Sequence, residues 1–320
     1  MLKAAPTAPP AAPAHCHAPM RRGLRRLGIG ILLWLVAGVA PAAELVLGRV
    51  SDDPKAEYAR LKAMLDYVVP RMADVGITSG RVLMAPDTQR MSSYLRRGMV
   101  DWISETPGAA AGYLDRGRAR VLLLTERGGL GQYRSVFFAR RDAGIASLSD
   151  LRGRTIAFQN PASTSAYLLP ASLIVESGLP LVILASPGDE PGPDMVGFVF
   201  ARSELNMSTW VHKGLVDAAA FSEQDWADAE RVPEAFRPDL AIFHQTERVP
   251  RALEVVRSDL DPAVAERLAA VLRAAIDDPA ATEPLRRFWS TTAFREPDAQ
   301  TLAEIRAFSR SVLRVRDEIE

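Results

Sequence analysis

The stretch AFQNPASTSAYLLP, residues 157–170, passes from a short apolar strand pattern through Asn-Pro into three consecutive hydroxyl residues, then into a helical pattern. One Ser, Thr, Asn or Asp ahead of a helix is enough to accept a hydrogen bond from an N–H group of the first turn. Here Ser163, Thr164 and Ser165 offer three. That first turn also carries unpaired N–H groups and a partial positive charge, and an oxyanion placed there gains from both. Two readings are open from the residues alone. Either one hydroxyl caps the helix and the others are solvated, or the turn holds a tetrahedral anion without lysine or arginine.

Working outward from that turn, short apolar strand patterns alternate with helical ones. ELVLGRV (44–50), RVLMAP (81–86), VDWIS (100–104) and RVLLLT (120–125) read as strands, with helices expected at 54–75, 87–97 and 107–116. YRSVFFA (133–139), RTIAFQ (154–159), LVILA (181–185), VGFVFA (196–201) and VDAAAF (216–221) repeat the scheme, with helices at 163–177 and 204–213. Asp87 suits a helix N-cap and Gly98 the position just past a helix C-terminus. The end of the chain is mostly helical, at 262–277 and 298–319. Alternation of this kind predicts an α/β fold of mostly parallel sheets flanked by helices. RGMVDWISE (97–105) and KGLVDAAAFSE (213–223) share a helix end, a glycine and a Val-Asp pair, which suggests two lobes of related design. Ligands in open α/β sheets sit beyond the C-terminal ends of the strands. That rule selects Glu105, Thr106, the residues after QNPA, Ser222 and Glu223.

Composition narrows the function. The formal charge is zero over 320 residues, but residues 1–43 hold five basic side chains and no acid, so the remainder is net negative by five. A mildly acidic body argues against nucleic-acid binding. Basic MRRGLRRLG (20–28), apolar IGILLWLVAGVA (29–40) and small residues around Ala42 follow the order of a cleavable export signal. Cys16 is the only cysteine and precedes the apolar run, so disulfides, thiolate metal sites and a cysteine nucleophile are not expected beyond it. Only His212 and His244 follow the signal, which disfavours a zinc site. There is no G-x-S-x-G elbow, so the hydroxyls are not read as catalytic and no enzyme is expected.

The order of motifs carries a family resemblance. GMVD (98–101), YRSVFFARRDAGIASLSDLRGRTIAF (133–158), NPASTSAYLLP (160–170), GLVDAAAF (214–221) and RVPRALEVVRSDLDP (248–262) together resemble the periplasmic phosphate/phosphite/phosphonate-binding proteins of ABC transporters, over about 45–260. The resemblance implies a two-lobed type 2 periplasmic binding fold with a ligand cleft between the lobes. It implies that Ser163, Thr164 and Ser165 hold a phosphorus oxyanion, with Tyr133 reaching the ligand. Thr88, Glu105, Thr106 and Glu204 fall at the remaining cleft positions. Several of these depart from the family pattern. Ala166 stands where Gly is usual, Thr88 where phosphonate binders often have Tyr, Glu204 in a segment usually opened by His, and Glu105 where an aromatic or neutral residue is usual. Two glutamates facing the cleft would repel a phosphate dianion and favour a zwitterion such as an amino-phosphonate.

The expected organisation is therefore an N-terminal extension and signal over 1–42, lobe one over 44–128 plus 222–320, and lobe two over 133–220. Hinges are expected near 125–133 and 218–224. The expected function is capture of a phosphonate, phosphite or phosphate-ester-like oxyanion in the periplasm by hinge closure, by a monomer without metal or cofactor. The expected partner is an ABC permease. The alternative is a ligand sensor docking on a periplasmic signalling domain.

Overall fold

The computed structural model describes residues 43–51 and 53–319. The expected export signal and Cys16 lie outside these residues. Among them no helix is long and apolar enough to cross a membrane.

The chain opens with β1 (Ala43–Val50), α1 (Pro54–Val68), β2 (Ile77–Ala85), α2 (Thr88–Arg96), β3 (Trp102–Glu105), α3 (Pro107–Asp115) and β4 (Ala119–Arg127). A two-residue strand, β5 (Gln132–Tyr133), leads into β6 (Ser135–Arg140) and β7 (Thr155–Phe158). A π-helical turn (Thr164–Leu168), α4 (Leu169–Glu176), β8 (Leu181–Ile183), β9 (Val196–Phe200), α5 (Glu204–His212), β10 (Ala218–Ser222), α6 (Glu223–Ala227) and β11 (Leu240–Gln245) follow. The chain ends with β12 (Val249–Pro250), β13 (Ala252–Arg257), α7 (Pro262–Ala274), α8 (Thr282–Arg287), β14 (Thr291–Arg295) and α9 (Ala299–Ile319). Two six-stranded sheets result, in the orders β14-β4-β13-β3-β1-β2 and β11-β6-β10-β7-β9-β8. The strands read from alternation form their cores: β3-β1-β2 and β10-β7-β9-β8 are parallel. The later strand β13 returns antiparallel between β3 and β4.

β5 and β12 pair antiparallel, Tyr133 opposite Val249, and form a narrow ribbon where the chain passes between the lobes. The first passage falls where a hinge is expected. The second does not. Residues 218–222 are β10, in the middle of the second sheet, and Phe221 is buried against Phe138 at 4.5 Å between ring centroids. β11 also belongs to that sheet, paired antiparallel with β6. The return to the first sheet therefore comes at 246–251, not at 218–224, and residues 222–245 lie with lobe two. Antiparallel pairing with β6 decides this, and a strand's own residues do not reveal its partner.

The sequence echo has a structural counterpart. Gly98 and Gly214 both adopt positive φ (65° and 67°), which lets the chain turn from helix to strand without a side-chain clash. The aspartate three residues on then ties its strand to a parallel neighbour. Asp101 accepts from the Val46 N–H at 2.8 Å and Asp217 from the Thr155 N–H at 2.8 Å. Each is also paired with an arginine, Arg257 or Arg154. Both aspartates precede their strands, at the end away from the cleft, so their work is pairing strands. Trp102, fully buried on Phe288, is a core residue.

α9 belongs to both lobes. Ile305 lies in the same buried cluster as Val46, Ile103 and Tyr113, in the first lobe. Val312 and Val315 lie in the same cluster as Phe137, Ile156 and Phe198, in the second.

Candidate functional site

The Ser-Thr-Ser turn is not the first turn of a regular helix. Ala166 has non-helical dihedrals (φ −106°, ψ 17°), and the Leu168 N–H reaches back five residues to the Ser163 carbonyl at 2.9 Å. Pro170 supplies the reason. In a continuous α-helix its ring would clash with the carbonyl of residue 166, four positions earlier. Here that carbonyl turns out and accepts from the Gln159 N–H at 2.9 Å. The wider turn sets the three hydroxyls in different directions, as π-bulges at functional sites often do.

Each hydroxyl has its own role. Ser163 is the cap, accepting from the Ala166 N–H at 3.2 Å. Thr164 is buried and bridges the lobes. Its Oγ1 accepts from the Gly108 N–H at 3.0 Å and donates to Thr106 Oγ1 at 2.9 Å. Tyr133 also hydrogen-bonds with Thr164, and burial pushes its phenol pKa up, which keeps its proton in place. Ser165 is held through its carbonyl, which accepts from Ser135 Oγ at 2.7 Å, and its hydroxyl has no partner among the described residues. Thr106 and Gly108 open α3, so two helical N-termini meet across the cleft. That combination concentrates partial positive charge between the lobes.

The two glutamates are held differently. Glu105 is buried, with one oxygen on Arg49 at 2.8 Å and the other on its neighbour's N–H, that of Thr106, at 3.0 Å. Arg49 also pairs with Glu57. Glu204 opens α5 and accepts from Gln159 at 2.5 Å, and burial holds its carboxyl pKa above the ordinary value. The Arg49 pair neutralises Glu105, so of the two glutamates only Glu204 remains without a cationic partner among the described residues. Thr88 opens α2 on one wall of a cavity of about 850 Å³, with Asn160, Pro161 and Ala162 also lining it. Of the residues selected from sequence, Tyr133, Thr164 and Thr106 converge on one hydrogen-bond network, with Glu105 and Ser165 adjoining it. Thr88 belongs to the cavity beside it, and Glu204 to the end of β7 through Gln159.

Sequence reasoning missed the arginines. Arg127 ends β4, is 7% exposed, donates to Ser104 Oγ at 2.9 Å and lies over the Trp289 ring at 4.3 Å. Burial, reinforced by Arg251 and Arg49 and opposed by Glu254 and Glu105, pulls its guanidinium pKa down to about 10. Its Nε has no hydrogen-bond partner among the described residues. Arg251, just before β13, stacks on the Tyr133 ring at 4.9 Å and has no carboxylate partner among them. Both stand at the cleft end of the first sheet, so the rule that ligands bind at that end would have found Arg127 had it been applied to β4. Arg251 was visible in RVPRALEVV, but nothing local marks it as facing Tyr133.

The chain resembles known proteins over most of its length. A family model described as ABC transporter, phosphonate, periplasmic substrate-binding protein matches residues 50–302. The solved structure of XAC2383 from Xanthomonas citri bound to ATP is 49% identical, covers 87% of this chain and 99% of its own, and superposes with a TM-score of 0.81. The same protein bound to chloride ion is 50% identical over 86% of this chain and 99% of its own, also at 0.81. PhnD1 from Prochlorococcus marinus, in complex with methylphosphonate, is 16% identical over 84% of this chain and 98% of its own, at 0.59, and shares the fold.

Proposed function

This chain belongs to the family of periplasmic substrate-binding proteins of ABC phosphonate transporters, and from that membership we propose that it captures a phosphorus oxyanion, a phosphonate, phosphite or phosphate ester, by closing its lobes over the Ser163–Ser165 turn. The observation that carries the reading is the Thr164 hydroxyl. It sits at the N-terminus of a helical segment of one lobe and bonds the N-terminus of α3 in the other. A tetrahedral anion there meets N–H groups and hydroxyls from both sides. The free hydroxyl of Ser165 and the phenol of Tyr133 add donors, and Arg127 and Arg251 supply full positive charge.

Closure follows from where the donors lie. Ligand held by both lobes binds the closed arrangement better than the open one and shifts the population toward it. The ribbon of β5 and β12 is the narrow connection about which such movement takes place. The closed, loaded form then docks on a membrane permease. Residues 20–42, behind an N-terminal extension, act as a cleaved export signal that delivers the chain to the periplasm. The ATP-bound structure of XAC2383 supports extending the ligand class from phosphonates to phosphate esters.

A thermal-shift panel on the chain from Ala43 tests this, with phosphate, phosphite, methylphosphonate, ATP and sulfate. A ligand at about a hundred times its dissociation constant adds roughly 2.7 kcal/mol, a shift of several degrees. A shift from a phosphorus compound that Ser165→Ala reduces supports the reading. Absence of a shift from every phosphorus compound overturns it.

A further inference from the structure

The 850 Å³ cavity reaches the residues just ahead of the Ser-Thr-Ser turn, and the last helix forms part of its wall. It is lined by the start of α2 (Asp87, Thr88), by Asn160–Ala162 immediately ahead of Ser163, and by Arg316 of α9. Two further arginines, Arg96 and Arg116, line it. Arg116 is partly engaged, with Asp115 at 3.6 Å and Asp317 at 3.5 Å, and Arg96 donates to the Arg116 carbonyl at 2.9 Å. Of the acids on the wall, Asp87 caps α2 through the Arg90 N–H and Asp317 faces Arg116. Arg316 has no ion-pair partner among the described residues.

Two neighbours on α3 adjoin Arg316's side of the molecule differently: Gly112 lines the same space and Tyr113 is buried in the core. Gly112 of α3 leaves room for the Arg316 guanidinium. A methyl group there would meet Arg316 Nη1 at 3.4 Å, an ordinary van der Waals contact. The Tyr113 hydroxyl is fully buried and has no hydrogen-bond partner among the described residues.

We propose that Arg316, with Arg116 and Arg96 beside it, forms a second anion subsite in this cavity, and that the ligand is a phosphoryl compound bearing a second anionic group, phosphate or carboxylate, a short bridge away. The inference rests on the oxyanion reading of Ser163–Ser165 and adds the ligand's far end. α9 thereby becomes part of the binding site.

Isothermal titration with methylphosphonate, phosphonoacetate and diphosphate tests the subsite and separates a carboxylate from a phosphate as the second group. The wild-type chain is expected to bind at least one of the two longer anions about tenfold more tightly than methylphosphonate. Arg316→Ala should abolish that advantage and leave methylphosphonate within about twofold, and Arg316→Lys should keep part of it. An advantage that survives Arg316→Ala, or no advantage in the wild type, overturns the subsite while leaving the oxyanion turn standing. Failure of all three anions to bind overturns the oxyanion reading, and the subsite with it.

Discussion

Thr164 is the residue on which the lobes meet, and its substitution separates packing from hydrogen bonding. Thr164→Val keeps the shape but leaves the Gly108 N–H without its acceptor, a loss of about 1–3 kcal/mol when buried. Because the contact exists only when the lobes are together, the loss should appear mainly as weaker ligand binding, about tenfold or more by titration, with little change in the melting temperature of the free protein. Arg251→Ala removes an unpaired charge from beside Tyr133 and should likewise weaken a phosphorus dianion about tenfold. A neutral ligand should be indifferent to it. Glu204 predicts a pH effect. Burial raises its carboxyl above the ordinary 4.5, so the folded state keeps the proton where the unfolded chain has released it. The stability from this group is complete below that ordinary value and is lost as pH rises through the raised one. Melting curves between about pH 4 and 7 should therefore show Glu204→Gln gaining on the wild type as pH rises. A constant difference would exclude the effect.

At the scale of elements, the strands were legible because each carries its own apolar run, and the Asp87 cap and Gly98 turn because local chemistry requires those residues. The π-helical turn was legible only in hindsight. Pro170 was in view, but its effect falls four residues earlier, on the carbonyl of Ala166. The ribbon at 246–251 was not legible, since β11 joins the second sheet by pairing with β6, a hundred residues away in the chain. The Arg49–Glu105 pair was hidden for the same reason: Glu105 looks like a free charge until Arg49, from another strand, is placed beside it. One element contact yields a direct prediction. A methyl group on Gly108 would meet Thr164 Oγ1 at 2.7 Å and Leu168 Cδ1 at 3.0 Å. Gly108→Ala should hold α3 away from the π-helical turn. Small-angle scattering should show that variant more open than the wild type and less responsive to ligand.

For the whole molecule, the ribbon between the lobes allows movement and α9 limits it. Ile305 anchors the helix in one core, Val312 and Val315 in the other. Arg314 and Ser311 tie it further to Glu176 of α4. Ile305→Ala should lower stability by about 2–5 kcal/mol, measurable by denaturant unfolding. The same arrangement dictates an order of events as the chain is made or threaded from its N-terminus. The second sheet is built from one unbroken stretch, whereas in the first β3 and β4 stay apart until β13 arrives to lie between them. The 21 residues of α9 follow every strand of both sheets, and each lobe needs them to close its interior. A nascent chain stalled before residue 299 would hold two complete sheets and two unsealed cores, so completion of both lobes becomes a single late step.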